Sequence, residues 1–242
     1  NHNWEFSAAE IQAQFGLDRV HIINDFTAIS LSLANLPPAS LESIGPVVDV
    51  SHATCFGVVG PGTGLGMGGL LRIGKQSIPL PSEGGHTSFA AVDDTELNIA
   101  RILINRFGHV SNERVLSGPG LVNIYEALNA LTGKSGVTLN PEQITERALA
   151  RTDTTCLDAL NHFCAFLGSV AGDLALLLCA EAVYIAGGIV PRIIDFFRAS
   201  GFRARFENKG RFAERMTQIP TFVITEPNPG LLGAAVDLLQ LH

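Results

Sequence analysis

A chain of 242 residues, 46% hydrophobic and 16% charged, is long and apolar enough to bury a sizeable core, which excludes disordered and fibrous classes. Sixteen Lys and Arg against 23 Asp and Glu give a net charge of −7, which argues against a nucleic-acid surface and leaves any anionic ligand to local backbone dipoles or a bridging metal. Mean hydropathy is +0.27, yet Asp173 and Glu181 cut the richest stretch into apolar runs of ten, seven and nine residues, short of the roughly 18 a membrane span needs, so a soluble chain is expected.

Ser7-Ala-Ala-Glu10 is a capping-box pattern that opens a short helix, and Gly16 closes it. Val20 to Ile23 reads as a buried strand, followed by Asn24-Asp25 and a helical stretch from Thr27 to Leu36 that Pro37-Pro38 breaks. Residues 38–53 read as a connection without regular structure. Thr54 to Val59 is a second strand that leads into Gly60-Pro-Gly-Thr-Gly-Leu-Gly66, with Met67 to Ile73 as its hairpin partner and Pro79 to His86 as a loop. Leu97, Ala100, Ile104 and Phe107 share one helical face, and Leu121 to Leu131 repeats the period. Asn140-Pro141 starts a helix through Ala150, and Thr154 to Ala180 reads as a central buried helix, apolar nearly all round after Phe163. Ala182 to Ala186 is a buried strand, Gly187-Gly188 a turn, Pro191 a helix start, Thr221 to Thr225 the last strand and Leu231 to Leu241 the last helix. Strands interleaved with helices give the α/β class.

The four cysteines, Cys55, Cys156, Cys164 and Cys179, form no Cys-x-x-Cys pair and have no His at ligand spacing, so no metal site is expected and free thiols fit a reducing cytoplasm. The N-terminus shows no basic stretch followed by an apolar one, hence no secretion signal. The chain starts at Asn1 inside what reads as an element already under way, and a fragment of a longer protein is expected.

Chemistry concentrates in five segments. Four glycines in seven residues at Gly60–Gly66 let backbone N–H groups face a phosphate, although a tight hairpin alone could account for some of them. No Gly-Lys-Ser/Thr follows, so this is no P-loop, and a strand rather than a helix follows, so it is no dinucleotide fingerprint. Asp25, where a strand ends, is placed to take a proton from a substrate hydroxyl, or else it caps the next helix. Glu83 and His86 flank a glycine pair in a loop able to wrap a small polyol, and Glu113 offers a further carboxylate. Gly187-Gly188 lets a flat ring approach the backbone, or is an ordinary strand-to-helix turn.

The strings Ile22-Ile-Asn-Asp-Phe-Thr-Ala28, Gly60–Gly66, Glu83-Gly-Gly-His86, Glu113-Arg-Val-Leu-Ser-Gly-Pro-Gly120 and Ala186-Gly-Gly-Ile-Val-Pro-Arg192 together resemble the bacterial glucokinase family, in that family's order, and Phe196–Arg203 and Asn228–Gly233 extend the likeness to the C-terminus. The resemblance implies the actin-like, two-domain sugar-kinase fold and ATP-dependent phosphorylation of D-glucose to glucose 6-phosphate. Asp25 would be the catalytic base. Asn24, Asp25, Glu83, His86 and Glu113 would bind the sugar. Gly62, Thr63 and Gly64 would line the phosphates, and Gly187 and Gly188 the adenosine. ATP and Mg²⁺ are the implied cofactors, with the metal bridging phosphate oxygens, and a cytoplasmic homodimer is the implied assembly.

One departure accompanies the likeness. The family's first phosphate loop reads Asp-x-Gly-Gly-Thr-Asn, and no such string occurs here. Residues 1–35 are therefore expected to be a remnant of the small N-terminal lobe, 36–225 the large sugar- and ATP-binding lobe, and 226–242 a helix returning to the small lobe. An uncovered strand at Val20–Ile23 would promote self-association. Two alternatives stand beside the kinase: an inert sugar-binding fragment, and a related hexose or N-acetylhexosamine kinase of the repressor/open-reading-frame/kinase family. The second usually carries clustered cysteines after the sugar loop, and none lies between Cys55 and Cys156.

Overall fold

A computed structural model describes residues 7–133 and 137–240. Its strands, β1 Leu41–Ile44, β2 Cys55–Pro61, β3 Leu65–Ile73, β4 Gln76–Ser82, β5 Ala182–Ile185 and β6 Thr221–Ile224, form one sheet ordered β1-β6-β5-β2-β3-β4. β6, β5 and β2 are parallel at the centre, while β1, β3 and β4 pair antiparallel at the flanks. The helices are α1 Ala8–Phe15, α2 Asp25–Ser32, α3 Asp94–Phe107, α4 Gly118–Leu131, α5 Pro141–Leu149, α6 Thr154–Leu178, α7 Ile194–Ala199, α8 Phe202–Glu207, α9 Ala213–Gln218 and α10 Pro229–Gln240. Alternation along the chain thus gives the mixed α/β sheet expected.

Both sheet faces are buried, and the side-chain period of two divides the core accordingly. Val59, Val183, Ile185 and Val223 pack with α6 and the helices beyond it, whereas Phe56, Val58, Tyr184 and Ile224 pack with Leu31 of α2 and Leu232 and Val236 of α10. The Asp153 carboxylate caps α6 by accepting from the Thr155 and Cys156 amides at 2.9 and 3.1 Å. α6 has the length and composition of a membrane span, but its buried residues run from Thr155 to Ala175 against the sheet and neighbouring helices. α10 meets α2 closely because Gly233 lies on Ala28, where a side chain would overlap the Ala28 carbonyl.

Three expectations change. Val20–Ile23 is not a strand: an apolar run becomes one only beside a partner ladder, and among the described residues none pairs with it. Ile22 is half exposed, and a His21–Asp237 contact ties the segment to α10. The edge predicted to drive self-association is therefore absent from this segment. Within 38–53 the short strand β1 pairs Leu41 with Ile224 and Ile44 with Thr221. Pro79 and Pro81, read as loop, stand in β4 at the sheet edge, where a strand tolerates residues that cannot donate. The capping box Ser7–Glu10 and the left-handed Gly16 stop form as read.

Candidate active site

The site is built around the turn that joins β2 to β3. Gly62 donates to the Gly64 carbonyl at 2.8 Å, which closes Gly62-Thr63-Gly64 at the C-terminal end of β2. The glycines of this stretch divide into two roles. Gly60 and Gly66 are ladder partners and face α2. The Phe26 ring occupies the space their missing side chains leave: a Cβ at Gly66 would overlap the ring, and one at Gly60 would lie 2.7 Å from its tip. Only Gly62-Thr63-Gly64 stands at the turn itself.

Phe26 also anchors the residues before it. Asn24 is the N-cap of α2, its side-chain oxygen accepting from Phe26 N at 2.9 Å and Thr27 N at 3.1 Å. Asp25 is the first helical residue, exposed, with one carboxylate oxygen accepting from Phe26 N at 2.8 Å. Asn24, not Asp25, therefore caps the helix, and its side-chain oxygen is engaged there.

The polyol loop flanks the same turn. Glu83 precedes a 3₁₀ turn over Gly84–His86, and Gly85 is buried on the Leu65 backbone, where a side chain would overlap the carbonyl. Glu83 Oε2 and His86 Nε2 stand 3.8 Å apart, with side chains 89% and 63% exposed, so both are open to a ligand. Glu113 lies in the 3₁₀ turn Asn112–Arg114 and accepts from Leu65 N at 2.9 Å through Oε2. Ser117 fixes that turn by donating to the Glu113 carbonyl at 2.9 Å while capping α4. Among the described residues, Glu83 and His86 form the one ion pair within the set Asn24, Glu83, His86, Glu113 and Asp25.

On the other side, Gly187 follows β5 with φ of 84°, pressed so close to the Pro61 carbonyl that only glycine fits. Gly118 at the start of α4 donates to the Gly62 carbonyl at 2.8 Å, bringing that helix end to the turn. Beside Gly188 opens a cleft of about 260 Å³ lined by Leu121, Pro141, Thr145, Leu149, Ile189 and Arg192. Sequence reasoning placed the glycines but missed these walls, which come from α4, α5 and the turn after β5. Ends of parallel strands are where open α/β sheets bind ligands, and β2 and β5 both end here. A larger cavity, about 660 Å³, lies behind the Gly84–Ser88 loop against α6, is mostly apolar, and includes neither Asp25 nor Glu113.

The glucokinase family model matches residues 1–241. The chain belongs to the glucokinase family. It is 48% identical over 242 residues to a glucokinase of Pectobacterium atrosepticum, covering all of this chain and 75% of that protein. The crystal structure of a glucokinase from an Antarctic psychrotroph superposes with a TM-score of 0.90 at 36% identity, over 98% of this chain and 74% of that one. The fold extends to a ROK family glucokinase from Streptomyces griseus, solved in complex with glucose and AMPPNP, at a TM-score of 0.63 and 20% identity over 97% of this chain and 72% of that one. The sugar-kinase fold and the kinase class follow, and the identity favours the glucokinases over the alternative family.

Proposed function

We propose that this chain phosphorylates D-glucose at its 6-hydroxyl with ATP. One observation carries the reading: the Leu65 backbone, next to the glycine turn, donates its amide to Glu113 at 2.9 Å and packs its carbonyl on Gly85 of the polyol loop, so sugar-side and phosphate-side residues share one support. Glu83, His86 and Glu113 hold the ring hydroxyls, with Asn24 beside Asp25 at the start of α2. The Asp25 carboxylate takes the proton as the 6-oxygen bonds to the γ-phosphorus and the bridging bond to ADP breaks. Gly62, Thr63 and Gly64 face the phosphates, while Gly187 and Gly188 lead the adenosine into the 260 Å³ cleft, whose Leu121, Pro141 and Ile189 walls suit a flat ring.

Mg²⁺ would be carried on the nucleotide; among the described residues no group of three or more His, Cys, Asp or Glu is arranged to hold a metal. When bound, that ion neutralises charge developing on the phosphate oxygens. The lobe division expected from the sequence, 1–35 with 226–242 against 36–225, lies partly outside the described residues; within them the close packing of α10 on α2 at Gly233 supports grouping those two helices. The family likeness adds a homodimer, and four free thiols suit the cytoplasm. Sugar binding with little turnover, the alternative of the sequence analysis, is the second reading that the test separates from the first.

The test is ADP release with glucose and Mg·ATP beside an Asp25→Asn control, with calorimetry for glucose. Glucose-dependent release that falls at least about 10³-fold in the control, with sugar binding kept, supports the kinase. Binding without release selects the second reading. Neither binding nor release refutes both.

A further inference from the structure

The structure assigns Asn112 and Thr87 as positioning residues that lock the Glu83–His86 loop to the Glu113 turn, an inference that rests on the sugar-binding reading above. Glu83 and His86 are exposed, and their mutual contact at 3.8 Å is too long for a hydrogen bond, so the backbone beneath them sets where they stand. That backbone is held by a relay. Asn112, only 7% exposed, donates through Nδ2 to Thr87 Oγ1 at 2.9 Å, and Thr87 Oγ1 donates onward to the Gly84 carbonyl at 2.7 Å. The Asn112 amide also bonds the Thr87 carbonyl at 2.9 Å. Behind this point the two segments pair as a ribbon through the Ser88–Ser111 bridge and the Phe89 N to Val110 O bond at 2.9 Å. The ribbon ends at Thr87, and beyond it the Thr87 hydroxyl joins the Thr87 amide on the Gly84 carbonyl, the amide at the longer 3.2 Å, so the relay reinforces the turn there. Asn112 is the immediate neighbour of Glu113, so the relay fixes the spacing between the carboxylate on one loop and the carboxylate and imidazole on the other. A polyol held from both loops would sense any loosening as lost pre-organisation.

Thr87→Val keeps the shape of the side chain but removes both hydroxyl bonds, whereas Thr87→Ser keeps them. Hydrogen exchange read at His86 and Thr87, whose amides bond the Glu83 and Gly84 carbonyls, should quicken about tenfold in Thr87→Val and in Asn112→Ala, with Thr87→Ser restoring protection. The glucose dissociation constant by calorimetry should rise by a similar factor in the first two and return within about twofold in the third. Unchanged exchange at these amides in Thr87→Val overturns the relay, whatever the sugar does. Faster exchange with an unaltered glucose constant overturns its role in spacing the site. A parent chain that takes up no glucose overturns the sugar-binding reading instead, and the exchange data still decide the relay.

Discussion

Adding one methyl at Gly66 should separate the ring that anchors Asp25 from the turn proposed to face the phosphates. The three atoms nearest a Cβ built there all belong to the Phe26 ring, which it would overlap, whereas at Gly60 the ring tip stands 2.7 Å away. Carbon atoms rest at about 3.5–4 Å, so even the Gly60 approach would demand a retreat of about 1 Å, and Gly66 demands more. The ring cannot retreat alone, because the Phe26 amide holds both the Asn24 and the Asp25 side chains. Overpacking of this kind costs about 1–3 kcal/mol, and an ångström's misplacement of a reacting group costs on the order of 10²-fold in rate. Gly66→Ala is therefore expected to lower kcat by about 10²-fold in a coupled ADP assay. In a Phe26→Ala background, where the ring is gone, the same methyl should cost less than about threefold, and the double-mutant cycle reads the difference as coupling. An equal loss in both backgrounds, or no loss in either, would refute the anchoring argument.

Three further outcomes are expected. Burial pushes the Cys55 thiol up, Cys156 to about 11 and Cys164 to about 12, while Cys179 is exposed; an aromatic disulfide reagent at pH 8 should thus count one fast thiol in the native chain and all four in denaturant. Two fast native thiols would contradict the burial. The Glu96 side chain, 1% exposed, bonds Arg205 of α8, and Glu96→Gln leaves that charge unpaired at a cost of about 3–5 kcal/mol, a Tm loss of about 10 °C by calorimetry; a loss under about 2 °C would count against it. The Thr54 hydroxyl, chief among its partners, holds the Glu181 carboxyl below its usual 4.5. A depressed carboxyl stabilises above the unfolded pKa and loses that stabilisation as pH falls through the folded one. Thr54→Val should consequently lower the urea midpoint at pH 7, with the gap closing below pH 4.5; a gap independent of pH would reject the assignment.

Elements with strong local signals were legible in the sequence, and those whose identity depends on a neighbour were not. The capping box at Ser7, Asn140 before Pro141 and the apolar tract of α6 each encode their own helix, and each forms. Val20–Ile23 and β1 exchange roles for a tertiary reason. Leu41–Ile44 finds a ladder on β6, whereas Val20–Ile23 finds none among the described residues and is tied to Asp237 instead. Pro79 and Pro81 carry a breaker signal that edge position overrides, since an edge strand can point its missing donors away from the sheet.

The candidate site was legible as a set of residues but not as an arrangement, and the glycine run shows why. A run of glycines reports that something approaches the backbone, not what approaches it. Read alone, all four invite a phosphate. In the fold, Gly60 and Gly66 admit the Phe26 ring, Gly64 touches Glu113, and Gly62 alone opens to free space. The same run therefore serves the helix that carries Asp25 and the turn proposed to face the phosphates. That sharing couples the two halves of the site: a side chain that shifts α2 relative to β3 also shifts the carboxylate relative to the turn. The coupling resides in a packing contact between residues 40 apart in sequence, Phe26 and Gly66. No local pattern could have exposed it, because each partner taken alone has an ordinary explanation, a core aromatic and a hairpin glycine.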